Sequence, residues 1–546
     1  MKKLNTLEYL KLNKFQKFFY DLREFFCAIP GWFVGLFVSL WNIIKDFAIK
    51  IKDGFIDIIT TFTKGNWAVK LSFIIFGFGN IYYGQIARGI LFFLFEVIFF
   101  VYMFAIPTSA DYRIQSGWEW IKSANWFGLG DHNTVGDIQQ TPNVYDEIKD
   151  VYVTLPGEDS TRVLFNALLA VIFIVAFIYT WRMQVKQCRI CMDITASGKK
   201  IKSGKDDLKS LLDDQFHKTL LTPSLLGILL FTVLPMIFMV LIAFTNYSIM
   251  MGTDGLPGTL DGTSRLYEWV GFKNLAELLN FGEGGIGVAF GELLVWTLIW
   301  AVCATFTNYF LGMGVAMMIN KKGIKIKKFW RTVLVMTIAI PQFVSLLYIA
   351  NVIDFKGYLG SFIYEEIPFI REYLIANNTN SLWKVEWISR VLVIVINIWI
   401  GIPYVMLMAT GILMNIPTDL YESAKIDGAS GYQQFTKITL PYMLFVTGPY
   451  LLTNFVGNLN NFNVIFLLTG GGDPMKGMNI PSLEGLIPGQ TDLLITWLFK
   501  LSTGSGAGAR YYLASALGIL IFLVVAVLSL IIYNVIPSTK NEEDFG

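Results

Sequence analysis

Eight long, mostly apolar segments recur along this chain, at 89–108, 163–181, 220–244, 293–319, 331–353, 389–413, 442–468 and 512–535. Inside lipid a backbone finds no water to bond, so a segment of about 20 apolar residues is satisfied only as a helix crossing the bilayer. The pattern fixes the fold class as an all-α integral membrane protein with eight transmembrane helices. Composition agrees. Of 546 residues only 15% are charged and 54% are hydrophobic, whereas a soluble domain carries roughly 25% charged residues. Too few polar side chains remain to cover several soluble domains, which excludes a soluble multidomain enzyme, a disordered chain and a secreted disulfide scaffold. A net charge of +2 draws in no nucleic acid, and four cysteines make no disulfide framework.

Two segments read differently. Between residues 30 and 67, Trp32, Phe33, Leu36, Leu40, Ile43, Ile44 and Phe47 recur at helical spacing, but Lys45, Asp46, Lys50, Lys52, Asp53 and Asp57 interrupt any full span. An amphipathic helix fits, lying either on the cytoplasmic face of the membrane or on the protein's own flank. Residues 71–86, SFIIFGFGNIYYGQIA, are apolar but short and broken by glycines, as in a re-entrant or interfacial piece. The basic start leads into no short apolar run with a small-residue cleavage site, so no removable signal peptide is expected.

Lys and Arg in short loops stay on the cytoplasmic side. Loop 182–218 carries nine of them and loop 320–331 carries six, while loops 109–162, 245–289 and 354–387 hold more acids than bases. Both termini are therefore expected in the cytoplasm. Loop 414–441 then falls inside as well, yet it is not basic, so something other than topology set its composition. Ionisable residues within the spans are few: Glu96 in the first, Glu292 at the mouth of the fourth. Glu96 is expected to take a structural partner from the re-entrant piece, such as Arg88. An autonomous secondary transporter, the rival reading, would call for a richer set of buried carboxylates and for broken helices in corresponding halves. A membrane enzyme would need clustered acid–base groups, and the chain has two histidines. Cys188 and Cys191 form a CxxC expected in a cytoplasmic loop; with no second pair and only His217 nearby, no metal is assigned.

The unusual loop reads IPTDLYESAKIDGASGYQQFTKITLP, residues 416–441. Pro417 ends the preceding helix, Thr418 or Asp419 can cap a new one, and Asp419 with Glu422 has capping-box spacing. Gly428 sits where a helix C-terminus needs positive φ. A second short helix, Tyr432 to Thr439, turns Phe435 and Ile438 to one side, and Pro441 opens the next span. Two short helices at an angle are expected, with acidic and apolar groups exposed.

Glu422, Ala424, Asp427, Gly428, Ala429, Phe435, Ile438, Leu440 and Pro441 resemble the EAA signature of ABC-importer permease subunits, with Ser423 where the first alanine usually falls. FWRTVLVMTIAIPQFVSLL (329–347), IVINIWIGIPYVMLM (394–408) and FVGNLNNFNVIFLLTGGGDP (455–474) are similar to the larger, MalF-type permease of maltose/maltodextrin importers. The resemblance spans about 163–536, more loosely 71–110, and fails over 1–66. Loop 245–289 is too short for the folded periplasmic domain of the Gram-negative version, which suggests a Gram-positive relative.

The resemblance implies a type I ABC-importer permease fold, without catalysis or cofactor of its own. A MalG-type second permease would complete the pathway, two cytoplasmic ATPase subunits would hydrolyse ATP, and an extracellular sugar-binding lipoprotein would deliver the oligosaccharide. Neither GKKIKSGKDD from Gly198 nor GSGAGAR at 504–510 has the spacing of a nucleotide-binding phosphate loop. Residues 1–66 would be an amphipathic extension, 67–218 accessory spans, and 219–546 the core permease with its coupling loop at 416–441. ATPase coupling would fall to Glu422, Ala424, Asp427, Gly428, Ala429 and Phe435. Asn454, Asn458 and Asn461 share a helical face by their i, i+4, i+7 spacing, and amides there are costly in lipid unless they face partners or a wet cavity. By the resemblance, the sugar pathway maps to Gln342, Ile400, Gly401, Tyr404, Asn454, Gly457, Asn458 and Asn461; bonding between helices is the alternative for the asparagines. Malto-oligosaccharide is the implied substrate, with raffinose-type or galacto-oligosaccharides as alternatives.

Overall fold

The computed structural model describes residues 48–105, 115–136 (except 131), 144–146, 151–153, 159–199, 213–251 (except 214 and 249), 257–258 and 267–535 (except 322, 484 and 505–507), with isolated positions at 35, 38, 41, 42, 45, 46, 201, 209 and 210. Trp32, Phe33, Leu36, Leu40, Ile43, Ile44 and Phe47 lie outside the described residues.

Seven helices are long and apolar enough to cross a membrane, and a bent pair makes an eighth. They are α1 (Ile86–Ala105), α2 (Ser160–Ala196), α3 (Phe216–Ile242), α4 (Ile286–Asn320), α5 (Lys327–Ala339 with Gln342–Glu366), α6 (Glu386–Met414), α7 (Gly431–Thr469) and α8 (Tyr511–Tyr533). Every expected segment has its helix, but the fifth is bent by 91°. Pro341 explains the bend: it has no N–H to continue the ladder, Ile340 before it is extended, and Pro341 becomes the N-cap of Gln342–Ile353. Helix α2 runs on through Arg182, Lys186 and Arg189, so Cys188 and Cys191 stand on a helix and not in a loop. Hydropathy marks where lipid ends, whereas long basic side chains leave a helix intact. Val144–Asp146 with Val151–Val153, and Met250–Met251 with Pro257–Gly258, form two short antiparallel pairs.

The chain divides into two compact units, Met1–Trp118 with Leu169–Leu226 and Glu119–Leu168 with Gly227–Gly546. In the first, the 71–86 piece follows the short helix Trp67–Leu71 and holds one of its own, Phe78–Tyr82, capped by Gly77 at φ +74. Its backbone is stitched to buried side chains. The Glu96 carboxylate accepts the Phe76 N–H at 2.8 Å, so its partner comes from this piece, but is a backbone group and not the Arg88 expected. Gln184 donates to the Ser72 carbonyl and accepts from Gly77 N–H, and Ser72 Oγ accepts from Gly79 N–H at 2.7 Å. Ser72 also donates to Cys188 Sγ, and Cys191 Sγ donates to Gln85. The described part of the extension is helical through residue 64 and docks on the same unit, where Arg189 pairs with Asp57 at 2.8 Å. This matches the flank reading for residues 57–64, although Phe55 and Ile59 keep an exposed apolar side.

The second unit is organised around α4, which is buried over half of its most apolar stretch. Small residues let α6 approach closely: a Cβ on Gly312 would lie 2.6 Å from Val405, and one on Gly401 would lie 2.5 Å from Asn308. Apolar clusters follow α4 along its length. At its N-terminal end Phe290 and Leu293 pack with Trp497 and Leu517, in the middle Trp296 and Trp300 with Ile465, and at the other end Tyr309 and Met313 with Met406 and Met443.

Candidate functional site

The first candidate surface lies between α6 and α7. Thr418–Ile426 is a helix capped by Pro417, so Thr418 and Asp419 are its first residues, and no side-chain cap bond forms. The expected Asp419–Glu422 capping box is absent because the start of the helix falls one or two residues earlier. Its end is as expected. Gly428 has φ +74; Gly428 N–H bonds Lys425 and Ala429 N–H bonds Ala424, the paired closure of a Schellman motif.

The second helix differs from expectation. Ser430 caps Gly431–Gln434 in a capping box with Gln433, and the chain continues through a wide turn at Phe435–Thr439 into Leu440–Leu459 without a break. Pro441 does not interrupt it; it follows directly on the wide turn at Phe435–Thr439, where the ladder has already left the α pattern. The second helix is therefore the base of α7. The Tyr421 hydroxyl meets the Thr439 hydroxyl at 2.9 Å and ties the two together. Glu422, Asp427 and Gly428 are exposed, Ala424 and Ala429 half-buried, and Phe435 packs against the Tyr309–Met443 cluster. Ile426 is 87% exposed and Tyr432 76%, leaving an apolar, partly acidic surface uncovered within the chain.

The second candidate surface is where α4, α6 and α7 meet. Helix α7 breaks at Asn460, and Asn461 is the N-cap of Phe462–Thr469, accepting from Val464 N–H. Asn454, Asn458 and Asn461 thus do not share one continuous helical face, because Asn461 takes extended backbone to cap the next helix. Asn461 instead donates to Asn458 Oδ1 at 3.3 Å, and Asn458 Nδ2 donates to Thr305 on α4 at 3.0 Å. Trp300 Nε1 holds the Asn458 carbonyl at 3.1 Å. Asn458 is buried and bonds between helices. Asn454, Ile400 and Gly401 are half-buried, while Gln342, Tyr404 and Gly457 are exposed. Gln342 is the first residue after the α5 bend.

Two residues beside this set were missed in the sequence. Asn397 on α6 and Asn308 on α4 are both buried, and Asn397 Nδ2 and Asn308 Oδ1 find no partner among the described residues. Asn308 lies against Gly401, and Asn397 is one turn before it. The signal was available: a lone amide in an otherwise apolar span is costly. The arrangement can offer amides, hydroxyls and a phenol to a ligand, and none of these groups carries a charge.

The sequence profile of the family described as "Binding-protein-dependent transport system inner membrane component" matches residues 308–541. The chain is 31% identical over 398 residues to the maltodextrin transport system permease protein MdxF of Bacillus subtilis, covering 71% of this chain and 85% of that one. It is 28% identical over 481 residues to the maltodextrin transport system permease protein MalC of Streptococcus pneumoniae, covering 86% and 96%. It is 30% identical over 388 residues to the galactooligosaccharides transport system permease protein GanP of Bacillus subtilis, covering 71% and 86%. With eight apolar spans, an EAA-like helix exposed between the sixth and seventh, and relatives matched over most of their length, the chain belongs to the inner membrane components of binding-protein-dependent ABC transport systems.

Proposed function

We propose that this chain is the MalF-type half of the pathway in an ATP-driven importer of malto-oligosaccharides, in the plasma membrane of a Gram-positive cell with both termini inside. The observation that carries this reading is the exposed Thr418–Ile426 helix, closed by Gly428 and hydrogen-bonded to the base of α7. A partner ATPase docked there would move α7 directly. A MalG-type permease would cover the exposed pathway face, and a tethered extracellular binding protein would load it. The uncharged amides of α4, α6 and α7, with Tyr404 exposed on α6, support a neutral polyhydroxyl substrate, whose hydroxyls both donate and accept. The likeness to GanP favours galacto-oligosaccharide as the second reading. Sugar-dependent uptake by the complete importer in proteoliposomes, with each saccharide on its binding protein, decides between them.

Coupling is tested at Gly428. An aspartate there must take the left-handed backbone at φ +74 and adds a negative charge beside exposed Asp427, with a backbone cost of about 1–2 kcal/mol. Gly428→Asp is expected to abolish most of the ATPase stimulation by loaded binding protein while the spans stay folded. Wild-type stimulation in this variant would mean that the helix is not the transmission element.

A further inference from the structure

A cavity of about 480 Å³ opens beside the N-terminal end of α6, walled by α4, the Pro368–Ala376 helix and the loop carrying Lys476. Its size falls in the range of about 300–1,000 Å³ typical of small-molecule sites. None of its lining residues belongs to the set discussed above. Trp387 is 53% exposed and forms one wall. Its indole N–H donates to the Tyr373 hydroxyl at 2.9 Å, and the two rings meet edge to face at 75°. The indole plane is therefore held in place before any ligand arrives.

The polar lining is also fixed. Arg390 lies over the Trp296 ring at 4.6 Å, donates to the Gln490 carbonyl at 2.9 Å and pairs with Glu386 at 2.7 Å. Asn377 Nδ2 donates to the Tyr373 carbonyl, which leaves Oδ1 as an acceptor, and Lys476 stands exposed at the rim. A flat aromatic face beside paired donors and acceptors suits a pyranose ring, which stacks its C–H face and bonds through its hydroxyls. The Arg390 charge is already compensated by Glu386, so an anionic headgroup would have to compete with a carboxylate.

The cavity also lies in line with the pathway. Glu386 is eighteen residues before Tyr404 on the continuous helix α6, five turns at the same azimuth and about 27 Å along the axis. Arg390, Asn397 and Gly401 follow along the same side. We propose that this cavity is a second saccharide subsite, at the outer mouth of the pathway, holding one or two hexose rings of an oligosaccharide on its way to Tyr404. The proposal rests on the sugar-importer reading.

The test uses the complete importer in proteoliposomes, with maltotetraose at limiting concentration on its binding protein. Trp387→Ala is expected to lower initial uptake about tenfold and Trp387→Phe to recover most of it, with the partner subunits still co-purifying. Uptake by the wild type matched by Trp387→Ala overturns the subsite alone, whereas no saccharide uptake by the wild type overturns the sugar-importer reading. A loss that follows the anionic-lipid fraction of the vesicles assigns the cavity to a lipid headgroup, and loss of the partner permease on purification assigns it to a subunit interface. Either result overturns the proposal.

Discussion

The two units solve the same problem in opposite ways. Each buries polar side chains among apolar helices, where an unpaired donor or acceptor is costly. In the first unit most of those side chains bond backbone, Glu96 to Phe76, Gln184 to Ser72 and Gly77, Ser72 to Gly79, although Asn80 bonds the Gln85 side chain and keeps its Oδ1 without a partner among the described residues. They replace the ladder that a glycine-broken segment cannot make for itself. In the second unit the amides bond side chains on other helices, and the network stays open: Asn458 meets Thr305 and Asn461, while Asn308 and Asn397 each keep a buried polar atom without a partner. A network bonded mainly to backbone holds a shape. An open one of neutral groups costs stability and keeps bonding capacity for something else.

The largest expected effect breaks the backbone-bonded network. Gln184→Leu keeps the volume but strands the Ser72 carbonyl and the Gly77 N–H, both bonded by a side chain that is wholly buried. Each buried group left unpaired costs about 1–3 kcal/mol. Thermal unfolding of the purified protein in nanodiscs should fall by about 4–10 °C, and uptake per folded molecule should stay near wild type. Unchanged melting with lost uptake would reverse the assignment of the two units.

The open network should respond the other way. Asn397→Leu removes an amide whose Nδ2 finds no partner, and replacing such a group by an apolar one of similar shape is close to neutral or stabilising. Melting is therefore expected to hold or rise slightly, while uptake of malto-oligosaccharide falls about tenfold, ~1.4 kcal/mol. A drop in melting temperature comparable to that of Gln184→Leu would show Asn397 to be structural.

The spans were legible because hydropathy over twenty residues is a strong constraint, and so was Gly428, whose position after Ile426 needs positive φ. What escaped depended on single backbone events. One proline, Pro341, turned an expected straight crossing through 91°, while another, Pro441, left α7 unbroken, and nothing in hydropathy separates the two. Asn461 could be counted onto a helical face, but capping Val464 took it off that face. Asn397 and Asn308 were visible as lone amides, yet only the packing of Asn308 against Gly401 gave them a common place.

The smallest effect sharpens the comparison at a third buried polar group. Asp492 lies outside the spans, is 2% exposed, and accepts from Gly489 N–H at 2.6 Å and Thr496 Oγ at 2.8 Å. One of its two partners is backbone, so it should behave like the first unit's groups and not like Asn397. Burial pushes its carboxyl above the ordinary value of 3.8, although both hydrogen bonds and the Lys500 charge pull the other way. The folded protein then holds this proton more tightly than the unfolded chain does, so the group's contribution to stability falls as pH rises from about 3.8 through the raised folded value. Asp492→Asn keeps an acceptor for one partner and carries no charge. Melting measured from about pH 4 to about pH 8 should show the wild type losing ground to the variant as pH increases, with uptake within about twofold of wild type. A wild-type curve parallel to that of Asp492→Asn would mean that burial does not govern this carboxyl, and uptake lost without any change in melting would place Asp492 with the open network.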